Sequence, residues 1–259
     1  MIRAWRPEVA GIAEVLHARF TEHAYPSHTH DTWTLLVVDT GAVRFGLDRH
    51  EHGALRSLVT LLPPHVPHDG RSVDAAGFRK RVVYLEQDAL DLGLVGAAVD
   101  HPGWADPPLR AEVHRLHEAV LHPGDALEAE SRLVLVRDRL RRHLAVTEIE
   151  PQANDAPVAR RLRALLDARV VEGIRLDDAA AALGVSATHL VRAFGAEYGI
   201  APHRYLTGRR LDRARRLLLS GRSAADVAVT VGFHDQAHLT RHFRRLLGTT
   251  PTAYARSAA

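Results

Sequence analysis

The sequence contains no cysteine, which excludes disulfides, thiolate nucleophiles and cysteine-ligated zinc. It also lacks any long apolar run. The longest, such as Thr34-Leu35-Leu36-Val37-Val38, are strand-sized and far too short to cross a bilayer. The first residues, Met1-Ile2-Arg3-Ala4-Trp5, hold no apolar stretch of the signal-peptide kind. A cytoplasmic protein with no membrane contact is the expectation. Lysine is missing from residues 157–259, which carry 17 arginines against 8 acids, a net of +9. Residues 1–156 hold 17 basic and 23 acidic residues, a net of −6, so the overall +3 conceals a strong asymmetry. A basic module joined to an acidic one is the footprint expected when only one half approaches phosphate.

What is present divides along the same line. With 259 residues, 46% of them hydrophobic, the chain can bury two cores. Ala18–Phe20, Thr34–Val38, Val43–Leu47, Ser57–Leu62 and Lys80–Leu85 are short β-prone stretches. Gly, Pro, Asp and His clusters separate them, the rhythm of a small antiparallel barrel or sandwich. Leu109, Val113, Leu116 and Val120, then Leu133, Val136, Leu140 and Leu144, switch to helical spacing. The two stripes read as a helix pair covering the barrel, or, through the second, flanked by Arg137, Arg141 and Arg142, as the seam of a homodimer. Residues 146–157, polar with two prolines, read as a linker. The expected fold class is α+β: an antiparallel β-barrel with a helix pair in residues 1–150, then an all-α domain in residues 151–259.

The C-terminal region repeats itself. Ala180-Ala181-Ala182-Leu183-Gly184 is followed by Leu190, Phe194, Gly199, Pro202 and Tyr205. Ala228-Val229-Thr230-Val231-Gly232 is followed by Leu239, Phe243, Gly248, Pro251 and Tyr254. Small residues let a second helix cross closely, and glycine permits the sharp turn between helices. Ser186 and Asp235 stand where the next helix needs an N-cap. Leu and Phe four apart put one edge of that helix on the core, leaving the other to enter a major groove. Two helix-turn-helix units follow. Thr188, Val191 and Arg192 in the first, and Gln236, His238, Thr240 and Arg241 in the second, are expected on the outward edge. Arg can pair bidentately with guanine and Gln with adenine, which favours Arg192, Gln236 and Arg241 as base readers. Between the units, His203–Leu219 fits one amphipathic helix bearing Arg209 and Arg210 as phosphate contacts. Such a rigid helix can hold two reading heads about one duplex turn, roughly 34 Å, apart.

The pattern Gly232-Phe233-x-Asp235-Gln236-x-x-Leu239-x-Arg241-x-Phe243, closed by Gly248-x-x-Pro251-x-x-Tyr254, resembles the signature of AraC/XylS-family transcription regulators. The resemblance covers about residues 160–256. It implies a seven-helix domain that binds double-stranded promoter DNA, with RNA polymerase as a further contact.

In the N-terminal half, Pro26-Ser27-His28-Thr29-His30-Asp31-Thr32-Trp33 and the later Pro63-Pro64-His65-Val66-Pro67-His68 resemble the cupin-type sensory domain often joined to that family. His28, His30 and His68 occupy the three histidine positions of metal-binding cupins, while Thr34 stands near where the glutamate would be. Two readings stay open. The histidines hold a divalent metal, since neutral imidazole suits several such ions, or they line a pocket for a small-molecule effector together with Trp33, Arg79, Arg81 and Tyr84. The function expected is an effector-responsive, non-enzymatic transcription regulator. The alternative is a three-histidine metal-dependent enzyme or metal sensor fused to a DNA-binding domain.

Overall fold

Strands of alternating polarity and helices of 3.6-residue period occupy separate parts of the chain. The computed structural model describes residues 2–21, 25–48, 50–54, 56–73, 76–145 and 155–256. These form two compact units. One contains the chain through Leu121 and again from Leu135 up to the undescribed segment 146–154; the other contains His122–Val134 and everything after that segment.

The first unit is built on two antiparallel sheets. Its strands are β1 (Ile2–Trp5), β2 (Ile12–Phe20), β3 (Tyr25–His28), β4 (Trp33–Thr40), β5 (Val43–Leu47), β6 (His50–Ala54), β7 (Val59–Leu62), β8 (His68–Ser72), β9 (Phe78–Leu85) and β10 (Gly103–Trp104). The six-stranded sheet runs β1-β2-β9-β4-β7-β10 and the four-stranded one β3-β8-β5-β6. Leu36, Val38, Leu62, Phe78 and Val82 from the first sheet meet Val43, Phe45, Leu47 and Ala54 from the second in one buried cluster. This is the flattened barrel that the alternation of inward and outward side chains requires. Helices α1 (Val95–Asp100) and α2 (Pro107–Ala119) follow, and α3 (Ala126–Leu144) begins in the second unit and ends in the first. Asp106 caps α2 by accepting the Leu109 N–H at 3.0 Å.

One expectation fails in α3. Leu133, Val136, Leu140 and Leu144 are 0–3% exposed within this single chain. Their apolar surface is consumed by the chain's own core, so they form no seam between copies.

Among the described residues, the second unit holds the start of α3 and seven further helices: α4 (Ala156–Ala168), α5 (Leu176–Leu183), α6 (Ala187–Tyr198), α7 (Pro202–Leu219), α8 (Ala224–Thr230), α9 (Gln236–Leu247) and α10 (Pro251–Arg256). Most of the expected linker lies outside the described residues. Its last three do not extend it: Asp155 caps α4, and Ala156 and Pro157 already belong to the helix. The repeat becomes two helix-turn-helix units, α5–α6 and α8–α9. Ser186 accepts from the His189 N–H at 3.2 Å and Asp235 from the His238 N–H at 2.7 Å, the two expected N-caps. Leu190, Phe194, Leu239 and Phe243 are completely buried.

Both turns need a glycine, for different reasons. Gly184 caps α5 at φ +68 with nothing near its Cβ position, whereas Gly232, at φ +94, would place a Cβ 2.2 Å from the Val171 carbonyl oxygen. Gly184→Ala therefore costs only left-handed strain, about 1 kcal/mol. Gly232→Ala adds a backbone collision and should cost at least twice as much, read as the loss of unfolding free energy in urea.

Candidate effector cavity and nucleic-acid interface

Between the two sheets lies a cavity of about 100 Å³, lined by His28, His30, Thr34, His68, Lys80 and Tyr84 over an apolar floor that includes Leu16, Leu36, Phe45 and Val82. Strand register decides which side chains enter it. Along β4, Thr34 and Leu36 point in; along β9, Lys80, Val82 and Tyr84 do. A period of two places their neighbours on the other face. Trp33 is accordingly fully buried away from the cavity, with its indole N–H donated to the Gln87 carbonyl at 3.2 Å. Arg81 is clasped by Asp39 at 2.7 and 2.9 Å and lies 3.0 Å from His114 Nδ1, and Arg79 is largely exposed. Trp33, Arg79 and Arg81 are thus not cavity residues, while His28, His30, His68 and Tyr84 are. The cation inside is Lys80, the only lysine in the sequence. It sits one residue from each arginine singled out, and the run Arg79-Lys80-Arg81 offered no sign of which of the three turns inward.

The three histidines converge. Their ring centroids are 4.5–5.0 Å apart, and one nitrogen from each lies within 4.8 Å of the others. His28 Nδ1 lies 2.8 Å from the Pro26 carbonyl and His68 Nδ1 3.1 Å from that of Val66. A carbonyl only accepts, so the proton sits on Nδ1 and the lone pair on Nε2. Burial, then the neighbouring His68, His28 and Lys80, lowers the His30 pKa to about 4, and burial also lowers that of His68. Burial brings Lys80 down to about 8 and takes Tyr84 up to about 12. At neutral pH His30 and His68 are therefore neutral imidazoles, and Lys80 keeps its charge with a narrower margin than an exposed lysine has. The buried Thr34 hydroxyl has no hydrogen-bond partner among the described residues, a polar atom aimed at whatever fills the space.

In the second unit, the structure separates the nine residues expected to meet DNA. Gln236 is exposed, and Thr188, Arg192, Thr240 and Arg241 are half-exposed. Val191 is 4% exposed and belongs to the core beside Leu190. Arg209 is exposed and bonded to Asp167 at 3.0 Å. Arg210 turns inward and donates to the Val170 and Val171 carbonyls at 2.7 and 3.1 Å, a structural role that removes it from any phosphate. His238 is buried. Its Nε2 lies 2.9 Å from Asp125 Oδ1, as does that of His242, while Arg241 Nη2 reaches Asp125 Oδ2 at 2.6 Å. Burial works against a charge on Asp125, but the bonds from His238 and His242 and the Arg241 charge outweigh it and hold the carboxyl far below its usual range. Burial likewise lowers His238, more than Asp125 raises it. Asp125 had no sequence signal beyond a place in Pro123-Gly124-Asp125, more than a hundred residues from its partners. The repeated tyrosines make polar contacts that the repeat pattern alone does not signal: Arg163 donates to the Tyr205 hydroxyl and Arg215 to that of Tyr254, each at 3.1 Å.

Comparison with known proteins adds the following. The family model described as AraC-like ligand binding domain matches residues 11–136, and that described as helix-turn-helix domain matches residues 179–257. Among curated relatives, the uncharacterized HTH-type transcriptional regulator YbfI of Bacillus subtilis is 24% identical over 83% of this chain and 81% of its own length. The HTH-type transcriptional activator RhaS of Klebsiella pneumoniae is 26% identical over 93% and 92%. The virulence regulon transcriptional activator VirF of Yersinia enterocolitica is 34% identical, but the match spans only 36% of this chain and 34% of that protein. Among solved structures, a transcriptional regulator from Chromobacterium violaceum, described as one of the AraC-type DNA-binding domain-containing proteins, shares 30% identity over 40% of this chain and 93% of that one, with a TM-score of 0.37.

The low His30 pKa carries a stability signature. Between pH 6.5 and about 4 the unfolded chain binds a proton at this histidine and the folded chain does not, so stability falls as pH falls through that window. His30→Gln should lose less melting temperature between pH 7 and pH 4.5 than the parent does, and the parent's His30 ring resonances should titrate with a midpoint near 4.

Proposed function

Because this chain belongs to the AraC/XylS family of transcription regulators, whose members bind DNA and small-molecule effectors, we propose that it reads a promoter through α6 and α9 under the control of a ligand in the sheet-lined cavity. One observation carries the reading. In both repeats the Leu/Phe edge is fully buried, and Arg192 in one and Gln236, Thr240 and Arg241 in the other remain at the accessible edge. These side chains would enter successive major grooves, with α7 setting their separation, and the arginine-rich surface would make binding steeply salt-dependent. The relatives are transcription regulators, which favours this reading over a three-histidine enzyme. The protein would act in the cytoplasm, where promoters and polymerase are met. It would act as a homodimer through a surface other than the buried stripe of α3. No helix among the described residues is long and apolar enough to cross a membrane.

The cavity suits a small ligand with an anionic oxygen for Lys80 and a donor facing the histidine Nε2 atoms. A second reading rests on the bonds from Nδ1 of His28 and His68 to backbone carbonyls, which fix each ring with its Nε2 lone pair free for a metal. His28, His30 and His68 would hold a divalent ion, which would supply a cationic anchor for an anionic effector.

Two experiments test these readings. In salt-series binding assays, Arg192→Ala and Arg241→Ala should each relax base preference at particular positions, at about 1–3 kcal/mol for a lost bidentate contact. Arg209→Ala should instead weaken all duplexes alike and flatten the salt slope. Unchanged sequence preference in both arginine variants would remove α6 and α9 as the reading helices. Metal analysis after dialysis against zinc separates the cavity readings. One equivalent retained by the parent and none by His30→Ala supports the metal. No retention, with a small-anion thermal shift lost in Lys80→Met, supports the organic effector.

A further inference from the structure

The segment His122–Val134 precedes the helical domain in sequence by more than twenty residues, yet it packs as part of the second unit. It does so through three acidic side chains. Asp125 takes His238, Arg241 and His242 of α9. Glu128 Oε1 lies 3.3 Å from His203 Nε2 on α7. Glu130 accepts the Leu176 N–H at the start of α5 at 2.7 Å and stands 3.2 Å from Arg175. Asp125, Glu128 and Glu130 are each about nine-tenths buried, and they meet cations, histidines and a backbone N–H, which are the groups that phosphate and base edges also seek.

The cluster of Asp125, His238 and His242 also has the composition of a metal site. The hydrogen bonds argue otherwise. The His234 backbone N–H donates to His238 Nδ1 at 3.2 Å, so Nδ1 carries the lone pair and Nε2 the proton that bonds Asp125. A metal at Nε2 would need the opposite tautomer, with a Nδ1 proton facing another proton. This is the reverse of the arrangement at His28 and His68. The pocket is built for a carboxylate, with Arg241 as its countercharge.

We propose that the strap His122–Val134 is an internal competitor of DNA, its Asp125 carboxylate occupying the base-reading edge of α9. Nη2 of Arg241 is bonded to Asp125 at 2.6 Å, so the half-exposed side chain cannot offer both terminal nitrogens to guanine while that bond holds. Promoter binding therefore requires Asp125 to withdraw, and whatever stabilises the strap on α9 weakens DNA binding by the same factor. The contact has a steric component as well. The Gly124 backbone lies flat against the His238 ring, so a Cβ there would fall 2.1 Å from His238 Nδ1 and 3.1 Å from His234 Cβ.

These features allow the strap to be released in two unrelated ways. Asp125→Asn keeps size and leaves an oxygen for the histidines, but it turns an amide N–H₂ toward Arg241. Gly124→Ala keeps every charge and pushes the His238 ring away. The inference rests on Arg241 reading DNA, so Arg241→Ala and the double variant Asp125→Asn/Arg241→Ala complete the set. The probe is a duplex enriched from a random 40-base-pair library by the full-length parent, with affinities read by fluorescence anisotropy and folding by thermal unfolding. The loss of one charged hydrogen bond as competitor corresponds to roughly ten- to hundredfold. Asp125→Asn and Gly124→Ala should each bind at least tenfold more tightly than the parent, and Arg241→Ala more weakly. The double variant should bind no more tightly than Arg241→Ala, since the released side chain is gone. Parental or weaker affinity in folded Asp125→Asn and Gly124→Ala, with Arg241→Ala weakened, overturns the competition alone. Parental affinity and base preference in Arg241→Ala overturns the assignment of Arg241 itself.

Discussion

Phe194 and Phe243 have no accessible surface, and the orientation of α6 and α9 depends on that. Each ring sits one helical turn from a buried leucine, Leu190 or Leu239, so α6 and α9 are held by one apolar edge and cannot rotate without exposing it. In the second repeat Phe243 shares its cluster with Leu211, Ala214 and Leu218 of α7 and with Val227 and Ala228 of α8. Burial of a large apolar side chain is worth about 1.5–3 kcal/mol, and such clusters fix orientation where exposed polar contacts on a helix surface do not. The polar edge is thereby left to chemistry rather than to packing.

The helical domain was legible for that reason. Repetition, small residues at the crossing, glycine at the turn and Ser186 or Asp235 at the cap are local features with local causes. The sheets were legible only in part. The apolar stretches in β4, β5, β7 and β9 declared themselves, whereas β6 and β8, with the sequences HEHGA and HDGRS, carry little strand propensity. They are strands because β5 pairs with each of them, and that is tertiary context overriding propensity. Register was the other casualty. A shift of one residue exchanges Lys80 for Arg79 or Arg81 at the cavity, and no single-strand pattern could choose among three consecutive cations.

The two histidine-rich sites show how little a residue census reveals without hydrogen bonds. Each gathers three potential ligands within 4.8 Å. In the cavity, backbone carbonyls take the Nδ1 protons; on α9, a backbone N–H takes the Nδ1 lone pair. One donor or acceptor in the main chain thus sets whether the inner nitrogen offers a pair of electrons or a proton. The His28, His30 and His68 positions were visible in the sequence, but the polarity of their rings was not. Asp125 was hidden more thoroughly, because its partners are 113 to 117 residues away.

Arg210 ties distant parts of the helical unit together. Its guanidinium closes the carbonyl end beyond α4 at Val170 and Val171, and the same group packs where a Cβ on Gly232 would stand, 2.9 Å from its Nε. One side chain on the connecting helix thus braces both the first half of the domain and the turn of the second. Divergence among descendants of this chain should follow that division. On the proposed reading, exposed positions on α6 and α9 can drift and change which bases are favoured, while Arg210 is held by two backbone carbonyls and Gly232 by the approach of the Val171 carbonyl. Lineages would then acquire new promoter sequences far more readily than a new spacing between half-sites.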